Sequence, residues 1–454
     1  MRILQLNHRF EEIGGAEVYF RSLARWQRER GHEVALFAAS PERAVDEPDT
    51  LVVERPSFDL KRLLEDPDLD GRLARFAQAF RPDLVHVHNL YSFPAGFVLA
   101  LAALEVPIVQ TVHDLSIVCT NGWCVLPDGE VCEGGPGRKC LERGCESNAP
   151  YDARLVQTAA FRLALLRTSI AAFVSPSEFV ADRCRRSRLG PVEVVPYYVD
   201  PALFPEEEAQ ARDSKRLLFA GRLSREKGLH TLIEALRTVV DRDPAATLTV
   251  LGDGDQLAAL RARVAELGLE KSVSFRGARP RAEVLSELRR CAALVLPSEW
   301  CENSPVSIYE SLLAGLPVVA TRMGGIPELV RDGVTGLLAE PRSADSLAER
   351  LLTLLGDEAL QAKLSGNAKE HAHRYSDLEA HLARLESVYA DARAGSTGAT
   401  SADWADLLAC SQLVQTRYAE FEDWAGFGGR PRRMLGKLAG GLFGAPRKPA
   451  GGRP

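Results

Sequence analysis

The sequence predicts an α/β protein built from two doubly wound parallel-sheet domains that face one cleft. Three observations predict it. Short apolar runs that fit buried strands alternate with helical patterns from residue 2 to about residue 392. Glycine-rich or charged loops follow those strands, where such sheets place ligands. A stretch rich in proline and acidic residues, 196 to 213, divides the alternation into two Rossmann-like halves. The expected boundaries are 1–195 for the first domain, 196–213 for the linker and 214–374 for the second domain. A further helix is expected over 375–392, and 393–454 is a linker, an amphipathic helix and a basic tail.

Composition narrows the function classes. A chain of 454 residues with 26% charged and 46% apolar residues has the make-up of a globular protein with more than one core. A net charge of -6 leaves no broad nucleic-acid footprint. The longest apolar run, Ala95 to Leu104, falls short of the roughly 20 residues of a membrane span. The N-terminus enters a strand with no signal-peptide pattern, so a cytoplasmic location with reduced cysteines is expected.

In the first half, Arg2 to Leu6 reads as a strand, Gly15 to Arg30 as a helix and Glu33 to Ala38 as the next strand. Gly14-Gly15 at that helix start suits a phosphate, because helix N-termini present free N–H groups. Asp59 to Phe80 reads as helical with a break near Pro67. Asp83 to Val87, Pro107 to Val112, Ala172 to Val174 and Val192 to Val195 read as strands. Phe93 to Leu104 and Tyr151 to Ile170 read as helices. His113 and Asp114 fall at a strand's carboxyl end, a position for chemistry. His86 and His88 read as structural, and His8 as an acceptor-side candidate.

Between 119 and 145 lies a Gly-rich, polar insert with five cysteines, spaced C-x4-C-x7-C-x7-C-x4-C. Few large apolar residues are present to order it, so Cys119, Cys132, Cys140 and Cys145 are expected to hold a structural zinc. Unlinked reduced thiols are the other reading.

In the second half, Arg216 to Ala220 is a strand, and Leu229 to Val240 a helix. The loop between them, Gly221-Arg222-Leu223-Ser224-Arg225-Glu226-Lys227-Gly228, brings Arg222 and Lys227 before a helix N-terminus. An arginine fork and a lysine point charge there form a diphosphate clamp. Asp253-x-Asp255 follows another strand, mid-domain, and reads as a turn rather than a metal site. Arg276 and Gly277 follow the strand Val273 to Arg276, where a base could meet the backbone.

The stretch 299–328 carries the sharpest pattern. Glu302 follows the strand Ala292 to Leu296. Ser304 and Pro305 are expected to start a helix that holds Glu310, with Asn303 and Ser304 beside the ligand. A buried carboxylate needs partners, and ligand hydroxyl groups supply them. Gly324-Gly325, after the strand Pro317 to Ala320, should offer backbone N–H groups to the same ligand. Glu302 and Glu310, eight apart, with Gly324-Gly325-x-Pro327-Glu328 and Gly221-Arg222-x4-Lys227-Gly228, resemble the motifs of the family 4 retaining glycosyltransferases of GT-B fold.

That resemblance covers residues 1 to about 392 and implies that the helix over 375–392 returns to the first domain. It implies transfer of a sugar from a nucleoside-diphosphate sugar to a glycan, lipid-linked or small-molecule acceptor, in polysaccharide biosynthesis, with retained anomeric configuration and no catalytic cofactor. It also implies that His113 and Glu302 contact the sugar, that Arg222 and Lys227 hold the diphosphate, and that Glu310 holds the ribose. An epimerase on the same fold and a nucleotide-sugar-binding protein without turnover are the alternatives. A dinucleotide oxidoreductase lacks its glycine motif here. Beyond Asp423 the tail is basic, with Arg430, Arg432, Arg433, Lys437, Arg447, Lys448 and Arg453 among Leu435, Leu438 and Phe443. That composition fits peripheral contact with an anionic membrane.

Overall fold

A computed structural model describes residues 1–11, 14–40, 49–54, 66–145, 150–204 and 212–395. The expected amphipathic helix and basic tail lie outside them. The first domain runs β1 (Arg2–Asn7), α1 (Gly15–Glu29), β2 (Glu33–Ser40), β3 (Thr50–Glu54), α2 (Pro67–Phe80), β4 (Leu84–Val87), α3 (Phe97–Ala102), β5 (Ile108–Thr111), α4 (Arg138–Glu142), α5 (Pro150–Ser169), β6 (Ala172–Ser175), α6 (Glu178–Arg186) and β7 (Val192–Val194). The second runs β8 (Arg216–Ala220), α7 (Leu229–Arg242), β9 (Thr247–Leu251), α8 (Leu257–Glu266), β10 (Val273–Phe275), α9 (Arg281–Leu288), β11 (Ala293–Leu296), α10 (Val306–Leu313), β12 (Val318–Thr321), α11 (Ile326–Leu329), β13 (Gly336–Ala339), α12 (Ala344–Leu355) and α13 (Glu358–Ala372). The last described element, α14, spans Leu378–Ala394.

Every strand pair is parallel, in the orders β3-β2-β1-β4-β5-β6-β7 and β10-β9-β8-β11-β12-β13. Strands β4, β5, β6, β11, β12 and β13 are buried along their whole length, as in sheets covered on both faces. Each sheet reverses its winding once, between β1 and β4 and between β8 and β11. The loops leaving those four strands are where such folds bind ligands. They carry Gly14, His88, Arg222 and Glu302.

Strand β3 was not expected from the sequence; its pattern is only half buried, at a sheet edge. Helix α3 is shorter than the apolar run around it. The residues before it, Phe93 and Ala95, are buried in an irregular turn instead. Helix α14 lies back on the first domain. Its Tyr389 is within 2.7 Å of His86 Nδ1, and its Arg384 donates to the Val194 carbonyl at 2.6 Å.

Candidate active site

Two charged loops of the second domain meet at its reversal point. After β8, a single 3-10 turn over Arg225–Lys227 leads to Gly228, which enters α7 with φ of 70°. A Cβ there would sit 1.9 Å from the Pro297 carbonyl oxygen, so only glycine lets this loop close on the one after β11. The approach places Lys227 Nζ 2.7 Å from Glu302 Oε1 and 4.9 Å from the Trp300 ring centre. Ser298 Oγ donates to the same Glu302 oxygen at 2.7 Å. Burial raises the Glu302 pKa, but Lys227 and the hydrogen bonds outweigh it and hold the carboxyl below its usual range. Arg222, with 67% of its side chain exposed, has its Nη2 3.8 Å from Glu226 Oε1. A lysine cation is thus fixed on a buried carboxylate, and an exposed arginine, held only by a long contact to Glu226, can reach an anion.

Glu310 is buried on α10, one turn in, and is not free. Arg281, at the start of α9, donates to its Oε1 from Nε at 2.9 Å and Nη2 at 2.6 Å. Burial pushes Glu310 upward and Arg281 pulls against it, leaving the pKa raised. The expected cap is corrected: Ser304 does not cap α10, which starts at Val306 with no side-chain cap. Ser304 Oγ instead lies 2.6 Å from Tyr309 OH. Gly324-Gly325 also differs from expectation. The Gly325 N–H donates to the Glu302 carbonyl at 2.8 Å, and a Cβ on Gly324 would lie 2.1 Å from that oxygen. The pair lets the loop after β12 lie on the Glu302 loop rather than offering that N–H to a ligand.

The remaining second-domain candidates are placed by backbone pairing. The Arg276 N–H donates to Val250 O, and the Gly277 carbonyl accepts from Gly252 N–H, both at 2.9 Å. The Arg276 side chain donates to Glu287 at 3.0 Å. Asp253 closes a turn on the Gly254 N–H at 2.7 Å and Asp255 accepts from Gln256, so both act as turn residues.

On the first domain, Gly15 opens α1 against α10: a Cβ there would meet Val306 at 2.7 Å. Gly14 precedes it, beside the Glu17 carboxylate. His113 is held on both sides. Its Nδ1 lies 2.6 Å from Tyr197 OH and its Nε2 2.9 Å from His88 Nδ1. Burial first, and neighbouring His8, lower its pKa to about 4. The expectation of a sugar-contacting ring therefore meets an imidazole whose two nitrogens are already engaged. His86 and His88 continue the same buried chain, through Thr111, Gln5 and Tyr389.

Asn303 joins the two domains. Its Nδ2 donates to Val112 O at 2.8 Å and His113 O at 3.0 Å, while Ser177 Oγ donates to its Oδ1 at 2.6 Å. Glu328 accepts the N–H groups of Glu178 and Phe179, at 2.8 and 2.7 Å, at the start of α6. Sequence reasoning gave Asn303 a ligand role and Glu328 only a motif place. It missed Arg281, Trp300 and Tyr197, whose partners lie far away in the chain, and Ser298, whose partner Glu302 is four residues on.

The insert is ordered by packing to a degree its composition did not suggest. Cys124, Val125, Leu126 and Cys140 are buried, and Val125 bridges to Val131. It docks on the Glu302 loop: the Cys301 N–H donates to Trp123 O at 3.2 Å. Cys119, Cys132, Cys140 and Cys145 line one small cavity, but Cys124 lines it too. Among the described residues no three His, Cys, Asp or Glu side chains form a group that could hold a metal ion.

Two family models match the chain. "Glycosyltransferase Family 4" covers residues 13–203 and "Glycosyl transferases group 1" covers residues 202–371, meeting in the linker. The D-inositol 3-phosphate glycosyltransferase of Arthrobacter sp. (strain FB24) is 30% identical over 406 residues, 84% of this chain and 90% of that protein. The protein of the same name from Corynebacterium glutamicum (strain R) is 29% identical over 411 residues, 84% of this chain and 92% of its own. Among solved structures, Anabaena HepE in complex with UDP and glucose matches with a TM-score of 0.64 at 21% identity, covering 86% of this chain and 99% of that one. A sucrose-phosphate synthase from Thermosynechococcus elongatus matches with a TM-score of 0.64 at 20% identity, covering 87% and 100%.

Proposed function

We propose a reaction for this chain, which belongs to the family 4 glycosyltransferases: transfer of a sugar from a nucleoside-diphosphate sugar, with retention of anomeric configuration and without a catalytic metal. The observation that carries this reading is the Lys227–Glu302 pair, buried at the reversal point of the second sheet with Arg222 open beside it.

Cleavage of the sugar–phosphate bond leaves growing negative charge on the diphosphate. Arg222 and Lys227 are cations placed to stabilise it, which is the work a divalent ion would otherwise do. Lys227 has one contact to Glu302 and further N–H donors for a phosphate oxygen. Glu302, kept ionised, accepts sugar hydroxyl groups and faces the positive charge that develops on the sugar ring. Glu310 takes the ribose hydroxyls in place of, or alongside, Arg281. The acceptor sits on the first domain and attacks from the side the diphosphate leaves. HepE is solved with UDP and with UDP-glucose, which supports a uridine donor as the first to try. The basic tail supports work at an anionic membrane face.

The test is turnover of the full chain with UDP-glucose and an acceptor panel, followed by NMR of the anomeric proton, with and without EDTA. Retained configuration and EDTA-resistant turnover are expected. An inverted product overturns retention. Loss in EDTA with rescue by magnesium or manganese overturns metal independence.

A further inference from the structure

A small, partly open cavity lies beyond the ends of β4 and β5, lined among others by Asn89, Tyr91, Gln110, His113, Asp114 and Arg162. Two of these residues carry buried polar atoms with no hydrogen-bond partner, Gln110 Oε1 and Arg162 Nε. Buried polar atoms are nearly always partnered, so two orphans on one cavity call for a ligand or a water.

Arg162 is the stronger signal. It projects from α5, and its Nη2 donates to the Phe93 carbonyl at 2.6 Å. Among the described residues no carboxylate pairs with it. Burial lowers its pKa to about 10, opposed only by Tyr91. Asp114 shares the cavity but is occupied elsewhere: it accepts from Asn89 Nδ2 at 3.0 Å and from the Ser116 N–H at 2.8 Å. A guanidinium partly removed from water without an anion is costly, and its fork matches an oxyanion. Holding one carbonyl explains one of its five N–H groups.

The cavity is next to the reaction site. His113 lines it, and the His113 carbonyl is bound by Asn303, the neighbour of Glu302. We propose that Arg162 binds an anionic oxygen group, phosphate or carboxylate, carried by the sugar acceptor, with Gln110 Oε1 accepting from a hydroxyl of the same molecule. This rests on the reading that the first domain holds the acceptor.

The test measures thermal shifts of the full chain with UDP saturating the diphosphate site, so that added anions report on another site. The probes are inorganic phosphate, glucose 1-phosphate, glucuronate and neutral glucose. The anions should raise the melting temperature and glucose should not; whichever of glucose 1-phosphate and glucuronate acts at lower concentration names the group. Arg162→Met should weaken the anion response at least tenfold and leave the UDP shift unchanged. Arg162→Gln, neutral but hydrogen-bonding, decides the matter if the methionine variant fails to fold. No anion response in the wild type, or an equal one in the folded variant, overturns the proposal. A missing UDP shift counts against the donor reading instead, and the anion comparison without UDP still judges Arg162.

Discussion

Lys227 Nζ lies 2.7 Å from Glu302 Oε1, and both side chains are largely buried, with 17% and 7% exposed. The two come from loops 75 residues apart, yet Lys227 is the main charge partner of Glu302. Removing the lysine leaves a buried carboxylate without its cation, which costs roughly 3 kcal/mol. Arg222, five residues away and exposed, has no such debt.

The two clamp residues should therefore separate. Arg222→Ala should lower turnover at least about tenfold with an unchanged unfolding midpoint. Lys227→Ala should lower turnover similarly and also destabilise the fold, and adding Glu302→Gln should restore most of the lost stability. Urea unfolding of the three variants checks this. An undisturbed midpoint in Lys227→Ala would show that the pair is not what holds Glu302.

From sequence, Lys227 read as one half of a diphosphate clamp in the loop before a helix. Its loop position and its motif were legible, because strand periodicity and the Gly-Arg-x4-Lys-Gly string are local. Its burial was not, because that depends on Gly228 closing to 1.9 Å from Pro297 in another loop. The same limit hid Arg281 behind Glu310 and gave Gly324-Gly325 to a ligand when their close contact is the Glu302 backbone. The alternation of strands and helices in two parallel-sheet halves, with Glu302 in a loop after a strand and Glu310 on the following helix, was legible; most of the partners that tune the two glutamates are long-range contacts that no spacing encodes. The order of the cysteine insert was not legible either, since Cys124, Val125, Leu126 and Cys140 are buried while Trp123 and Val131 stay exposed.

The Arg281–Glu310 contact predicts a competition. If Glu310 is to accept ribose hydroxyls, Arg281 must share or release Oε1. The arginine is 44% exposed, so the pair is worth at most about 1 kcal/mol. Arg281→Ala should tighten UDP binding by up to about fivefold, whereas Glu310→Gln should weaken it. Isothermal titration with UDP decides. Weaker binding in Arg281→Ala would make the arginine itself a nucleotide ligand.

Removal of residues 394–454 should leave turnover on a water-soluble acceptor intact and weaken binding to vesicles containing anionic lipid, most visibly at low salt, because exposed charges act within a Debye length. Co-sedimentation at two salt concentrations checks it. Equal binding by both forms would remove the membrane role of the tail.

The buried histidines predict how the fold responds to acid. His113 titrates near 4 and His86 near 3, and His88 well below its usual value, in each case chiefly through burial. The hydrogen bonds agree with neutral rings. Gln5 Oε1 accepts, so His88 Nε2 carries hydrogen and its Nδ1 accepts from His113 Nε2; His113 Nδ1 then accepts from Tyr197 OH. The folded pKa values lie below the value of about 6.5 in the unfolded chain. The unfolded state therefore binds more protons below pH 6.5, and stability is full above that pH and falls as pH drops toward 4. His86 and His113 each contribute up to roughly 3 kcal/mol of that loss, and His88 acts in the same direction. His86→Gln, which keeps a polar group beside Tyr389 and Thr111, should flatten the decline between pH 6.5 and 4 while changing stability less at pH 8. Unfolding midpoints measured across that range test it, and an equal slope in the variant would mean that His86 is not neutral in the fold.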